Sequence, residues 1–251
     1  MKTIIDINRL DVGYGKEVIL KDLNFQVNRE EITVILGRSG CGKSTILKTL
    51  VGLLPPISGE IFFFGEKTDY GSEDYLKWLY SRVGVLYQSS ALLNSLSLYE
   101  NIALPLRIHY PHFSKEIERE MIYSRLSQVG LAESGDKYPG ELSGGMRKRA
   151  ALARAMILDP KIIFCDEPSA GLDPITAQEL DQLMINLKKH LAMTFVVVTH
   201  ELRSIEKIAD KAVVLNHGKL HFFGEYQHLI STKDPFIQSF FLKNIQNKNE
   251  T

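Results

Sequence analysis

The sequence predicts an α/β fold built around a parallel sheet, on three observations. Short apolar runs alternate with longer stretches of helical periodicity along most of the 251 residues. One run, Ile32–Leu36, has no polar alternation apart from Thr33, as suits a strand buried on both faces. That run leads straight into a glycine-rich loop and then a helical pattern, the strand–loop–helix order of a phosphate-binding unit.

Taken in chain order, the first segment reads as strands over Thr3–Leu10, Val18–Leu20 and Leu23–Val27, punctuated by Gly13 and Gly15. After the loop, Ile46, Leu47, Leu50, Val51 and Leu54 mark a helix that stops at Pro55-Pro56. Val83–Tyr87 reads as a strand. Ser114 is placed to cap a helix with Ile117, Met121, Ile122, Leu126 and Val129 on one face and Gly130 as its stop. A second helix starts near Ser143 and carries Ala150, Ala151, Ala153, Ala155, Met156 and Ile157. Strands Ile162–Cys165 and Phe195–Thr199 flank a helix over Ile175–Leu191. Ala212–Leu215 and Leu220–Phe223 enclose Asn216-His217-Gly218-Lys219, a hairpin signal. Asp234-Pro235-Phe236 starts a further helix, Asp as cap and Pro in its first turn, with Ile237, Phe240, Phe241 and Ile245 as its stripe. That stripe either packs on its own domain or contacts a partner. Lys243–Thr251 is expected to fray.

Composition narrows the class. Hydrophobic content of 44% and charged content of 24% are those of a globular protein. Thirty basic residues balance thirty acidic ones, which argues against a nucleic-acid partner held by bulk positive charge. No apolar stretch has the length of a membrane span, and the N-terminus has no signal-type apolar core. Two cysteines, Cys41 and Cys165, make no disulfide framework, so a reducing, cytoplasmic setting is expected.

The loop carries the chemistry. Gly37-Arg38-Ser39-Gly40-Cys41-Gly42-Lys43-Ser44-Thr45 fits G-x-x-x-x-G-K-[ST], a match that average residue frequencies produce by chance in about 1% of such chains. Glycines let backbone N–H groups turn inward around phosphates, and the next helix aims its positive end at the same anion. Lys43 is expected to neutralise β/γ-phosphate charge and Ser44 to offer its hydroxyl to Mg²⁺. Cys41 is either a small filler or a thiol whose alkylation blocks the nucleotide. Downstream, the apolar strand Ile162–Cys165 ends in Asp166-Glu167; Asp166 is expected to hold Mg²⁺ and Glu167 to polarise an attacking water.

Further landmarks carry a family resemblance. Leu142-Ser143-Gly144-Gly145-Met146 precedes the Asp166-Glu167 pair, Gln88 follows the strand Val83–Tyr87, Ser169-Ala170-Gly171-Leu172-Asp173 follows the carboxylates, and His200 follows the strand Phe195–Thr199. In this order and spacing, from about residue 3 to residue 224, they resemble the ATP-binding cassette (ABC) ATPases. The resemblance implies a three-layer P-loop NTPase core with an N-terminal antiparallel β subdomain and an α-helical signature subdomain. It implies a cassette over 1–226, with the helical subdomain at about 89–158 and an extension at 227–251. It also implies a head-to-tail dimer with two ATP·Mg²⁺ between the copies. Lys43, Ser44 and Asp166 would hold each nucleotide from one side, with Gln88 sensing the metal and water. Ser143 and Gly145 would cap the γ-phosphate held by the partner copy, and Gly144 and Asp173 would also bind nucleotide. Glu167 would act as base, His200 would bond the γ-phosphate, and Tyr14 would stack on adenine.

One departure sharpens the resemblance. Where most of the family has glutamine after the glycines this chain has Met146, followed by Arg147-Lys148-Arg149. That basic run is either a solvated face or a sign of a polyphosphate nearby. Met146, the basic run and Ala150–Ala155 resemble the ATPases of Mla/Mce-type phospholipid trafficking systems, as does the stretch Tyr87–Arg107. This implies membrane permease partners, an MCE-domain lipid-binding protein, and a place on the cytoplasmic face of an inner membrane. The competing readings are a small-solute importer ATPase and a non-transport ABC protein; no long coiled-coil insertion or second cassette supports the latter. A module that binds ATP without turnover is disfavoured by Glu167 and His200 together.

Overall fold

A computed structural model describes residues 2–239. In chain order the elements are β1 (Thr3–Tyr14), β2 (Glu17–Asn28), β3 (Ile32–Gly37), α1 (Lys43–Leu50), β4 (Ser58–Phe63), β5 (Glu66–Lys67), α2 (Glu73–Tyr80), β6 (Val83–Leu86), α3 (Leu98–His109), α4 (Lys115–Gln128), α5 (Gly144–Met156), β7 (Ile162–Asp166), α6 (Pro174–Leu191), β8 (Thr194–Val198), α7 (Leu202–Ile208), β9 (Lys211–Asn216), β10 (Lys219–Glu225) and α8 (Tyr226–Ser231).

The main sheet has the order β10-β9-β3-β8-β7-β6. Five of its strands run parallel and only β10 is antiparallel. β3 sits inside it with all six residues buried, which accounts for its unbroken apolar run. Side chains alternate strictly between the two faces. Ile35, Phe164, Val196, Val198 and Val213 enter one core with α1 and the small sheet. Ile32, Val34, Ile163, Val197 and Val214 enter the other, with residues of α5, α6 and α7. Each fully buried aliphatic of this kind contributes about 1.5–3 kcal/mol. A separate antiparallel sheet, β2-β1-β4-β5, covers the first face. α3, α4 and α5 enclose a third core around Ile102, Leu106, Ile122 and Leu126.

Several boundaries differ from those the sequence suggests. Val18–Leu20 and Leu23–Val27 are one strand, because the polar pair between them is a bulge: Asp22 has φ +52° and its N–H donates to the Asp11 carboxylate at 2.8 Å. α1 ends at Leu50 rather than near Leu54, where Gly52 turns with φ +82°. Ser114 precedes α4, but its hydroxyl contacts the Glu116 carboxylate at 2.5 Å instead of capping, and Ile117 is exposed. The short strands β4 and β5 and the helix α2 are additions. In the C-terminal segment the Asp234 carboxylate accepts from the Ile237 N–H at 3.0 Å, and residues 235–239 form a helical turn. Ile237 is buried in the second core, so this part of the stripe packs on its own domain. Phe240, Phe241, Ile245 and Lys243–Thr251 lie outside the described residues. Among the described residues no helix is long and apolar enough to cross a membrane.

Candidate active site

The loop between β3 and α1 opens a cavity of about 840 Å³ at the carboxyl ends of the parallel strands. Two glycines are required by contact. A Cβ on Gly37 would lie 2.4 Å from Cys41 Sγ and 2.6 Å from the Leu215 carbonyl. Gly42, at φ +101°, would put a Cβ 2.7 Å from Leu20 Cγ. Gly42 is also the cap of α1, whose first turn has no acidic residue to compete for an anion at its positive end. Gly37, Arg38, Ser39, Gly40, Gly42, Lys43, Ser44 and Thr45 line the cavity. Cys41 does not: it packs inward against the first core, and burial pushes its thiol up from the ordinary cysteine value. It is the filler. Lys43 Nζ donates to the loop's own carbonyls, Gly37 O at 2.9 Å and Arg38 O at 3.2 Å.

Asp166, Glu167, His200 and Gln88 also line the cavity, and Ile19 and Ser239 complete the lining. Asp166 ends β7, and burial followed by the neighbouring Glu167 charge raises its carboxyl above the usual range, against the pull of Lys43 and Lys148. Glu167 has left-handed backbone, φ +47°, a strained conformation for a residue with a Cβ. Its N–H still pairs with Val198 O at 2.8 Å. The turn carries its side chain to His200, with Oε1 and Nδ1 2.8 Å apart. The carboxylate is sheltered and the imidazole is mostly exposed, with side-chain accessibilities of 14% and 69%.

Lys148 was not singled out by the sequence, which offered only a solvated face or an anion-binding run. It is 4% exposed. Its ammonium donates to Gln88 O at 2.5 Å and to Glu167 O at 3.3 Å, and burial lowers its pKa. Arg147 instead bonds the Leu142 carbonyl at 2.6 Å. The available signal was position: Lys148 stands next to the buried alanines Ala150, Ala151 and Ala153 of α5.

Besides Cys41, five expected residues lie outside this cavity. Ser143 caps α5, its oxygen accepting from Met146 N–H at 3.2 Å. Asp173 caps α6, accepting from the Ile175 and Thr176 N–H groups at 3.1 and 3.0 Å. Gly144 and Gly145 face this second cap: a Cβ on Gly144 would meet Leu172 at 3.3 Å, and one on Gly145 would meet Thr176 at 2.3 Å. Tyr14 ends β1, 45% exposed, with Lys48 Nζ 3.2 Å from its hydroxyl. Ser143 to Gly145 and Asp173 thus form a separate corner, with Ser143 and Asp173 exposed and Gly145 buried against Thr176.

For a metal, the cavity supplies the Ser44 hydroxyl, the Asp166 carboxylate and the Gln88 amide. Among the described residues no three His, Cys, Asp or Glu side chains are arranged so that they could hold a metal ion by themselves. A donor set of few, hard oxygens leaves positions for water and phosphate, as Mg²⁺ requires.

Comparison with known proteins agrees with this geometry. Residues 20–170 match the ABC transporter family model. The chain is 38% identical over 95% of its length to the intermembrane phospholipid transport system ATP-binding protein MlaF of Haemophilus influenzae, covering 90% of it. It is 37% identical to MlaF of Escherichia coli strain K12, over 94% of this chain and 88% of that one. It is also 39% identical over 96% of its length to the "Probable ribonucleotide transport ATP-binding protein mkl" of Mycobacterium tuberculosis, covering 67% of that longer protein. Among solved structures, cbiO1 from Clostridium perfringens, part of the ABC transporter complex cbiONQ, superposes with TM-score 0.85 at 27% identity over the whole of both chains. The ATP-binding cassette MJ0796, solved as a dimer bound to ADP and Pi, gives 0.79 at 30% identity over 88% of this chain and 98% of that one. A phosphate loop, a carboxylate pair and a histidine converging on one cavity, with a family match over most of the cassette, lead to one conclusion: the chain belongs to the ABC transporter family, as one of its ATP-binding cassettes.

Proposed function

We propose that the chain is the ATP-hydrolysing subunit of a membrane system that moves phospholipids, working as a homodimer on the cytoplasmic face of an inner membrane. The observation that carries the lipid assignment is the 37–38% identity to MlaF across nearly all of this chain and close to nine-tenths of MlaF. Met146 and the Tyr87–Arg107 stretch support it.

In this reading the polyphosphate enters the cavity at the start of α1. Lys43 exchanges its bonds to Gly37 O and Arg38 O for β/γ oxygens, while the loop N–H groups from Gly40 to Thr45 donate to the phosphates. Ser44, Asp166 and Gln88 would hold Mg²⁺, which supplies charge neutralisation on the β- and γ-oxygens when bound. Glu167 takes the proton of the attacking water at its carboxylate. His200 holds that carboxylate through Nδ1 and reaches the γ-phosphate from its exposed side. The corner of Ser143, Gly144, Gly145 and Asp173 closes over the partner copy's γ-phosphate; MJ0796, solved as a dimer, supports that arrangement. Tyr14 stacks on adenine once Lys48 releases its hydroxyl.

The test is purification of the tagged chain in mild detergent and identification of what accompanies it. A permease together with an MCE-domain lipid-binding protein is expected. The printed name of mkl favours a second reading, nucleotide-type solute transport. Recovery of a permease with a periplasmic solute-binding protein, and no MCE-domain protein, would favour that reading and overturn the lipid one.

A further inference from the structure

Three features of α5 point the same way. Its first turn carries Ser143 to Gly145, the corner expected to reach the partner's nucleotide. Its next turn carries Lys148, buried with its ammonium on the backbone carbonyls of Gln88 and Glu167. Its last turn carries Arg154, whose guanidinium donates to Ser90 O at 3.0 Å and Ala91 O at 2.7 Å. Ser90 and Ala91 are themselves left-handed, at φ +64° and +48°, so the segment after Gln88 depends on outside donors for its shape.

The same holds at Glu167. A left-handed backbone at a non-glycine residue persists only when its surroundings hold it, and here one holder is the Lys148 ammonium on the Glu167 carbonyl. The carboxylate direction, and with it the 2.8 Å contact to His200, follows from that backbone turn. The negative charges of Asp166 and Glu167 favour the charged form of this buried cation. A lysine moved into low dielectric is retained only with such partners.

We propose that Lys148 is a positioning residue for hydrolysis: it ties the Gln88 and Glu167 carbonyls to the signature helix α5, and so sets the general base in line when α5 is seated on the partner's nucleotide. This rests on the assignment of Glu167 as base. Lys148 touches no substrate and acts through Glu167. A shift of about 1 Å in a reacting group costs about 100-fold in rate, so loss of the tie falls on kcat.

The experiment compares four full-length proteins, wild type, Lys148→Met, Glu167→Gln and the double variant, by steady-state phosphate release, ATP affinity and thermal melting. Methionine keeps the buried stem and removes only the ammonium. The expected result is that Lys148→Met lowers kcat by about 100-fold with ATP affinity unchanged. The double variant is expected to be no slower than Glu167→Gln alone. Lys148→Arg, which keeps the charge and the donors, is expected to recover part of the rate and serves as the alternative if the methionine variant fails to fold. Wild-type kcat in Lys148→Met, a loss confined to ATP affinity, or a double variant slowed by the product of the two single effects would each overturn the proposal. Wild-type kcat in Glu167→Gln would instead overturn the base assignment, so the two failures are distinguishable.

Discussion

Replacing Glu167 by glutamine tests the hydrolytic arrangement with the smallest perturbation. The side chain keeps its length, and an amide at the same place still reaches His200 Nδ1, 2.8 Å from the present Oε1. The strained backbone at φ +47° is unaffected, since the strain comes from the Cβ that both residues possess. What is lost is the proton acceptor, in a position with only 14% side-chain accessibility, where bulk water does not readily substitute. General-base contributions of about 10²–10⁴-fold correspond to about 2.7–5.4 kcal/mol of barrier at 1.36 kcal/mol per decade. A second effect runs the other way. Glu167 is one of the charges holding the Asp166 carboxyl above its usual range, so its neutralisation lowers that pKa and favours the ionised Asp166 needed beside the phosphates. The variant is therefore expected to hydrolyse ATP about 10²–10⁴-fold more slowly while binding it at least as well as wild type. Phosphate release, nucleotide titration and size-exclusion chromatography in ATP measure the three consequences, the last as an accumulated dimer. Wild-type turnover, or loss of ATP binding with turnover per bound nucleotide unchanged, would refute the reasoning.

Lys43→Ala removes charge-assisted hydrogen bonds worth about 1.5–3 kcal/mol, so ATP affinity is expected to fall about 10- to 100-fold by fluorescence titration; wild-type affinity counts against the phosphate site. Gly84→Ala would put a Cβ 2.3 Å from the Ala155 carbonyl, where β6 crosses α5. Overpacking of this kind costs about 1–3 kcal/mol, a fall in Tm of about 2–12 °C by calorimetry, and an unchanged Tm would contradict the packing. Asp181 is buried with Oδ1 unpaired among the described residues, and burial raises its pKa. Because the folded state holds that proton more tightly than the unfolded state, stability falls as pH rises from the ordinary carboxylate range through the raised value. Asp181→Asn abolishes that titration, so its Tm advantage over wild type should grow from pH 4 to pH 7; a difference independent of pH would refute the assignment.

The legible parts of this protein are those whose chemistry is contiguous in the chain. The loop from Gly37 to Thr45 needs neighbouring glycines, a lysine and a hydroxyl in one turn, so a local pattern reports it. Asp166-Glu167 and His200 are read off strand ends for the same reason, and the two-faced alternation of β3, β7 and β8 follows from unbroken apolar runs. The strand break at Asp22 was misleading because a bulge and a turn share the same polar, left-handed residues. Pro105 sits inside α3, where propensity argues against a helix and the buried face of Leu98, Ile102 and Leu106 overrides it. Lys148 was illegible for a different reason. Its partners are 60 and 19 residues away, and the one local sign, the alanines that follow it, is masked by the two arginines that flank it. Cys41 likewise sits within the loop sequence, and only the fold reveals that its thiol faces the core.

The central claim is that ATP hydrolysis at this cavity drives phospholipid movement. Its most direct test is transfer of a labelled phospholipid from proteoliposomes containing the chain with its co-purified membrane partners to acceptor vesicles. Transfer that requires ATP with the wild-type chain and disappears with Glu167→Gln is the predicted result. Lipid transfer indifferent to ATP, or no lipid transfer where the same proteoliposomes move a labelled ribonucleotide, would contradict it.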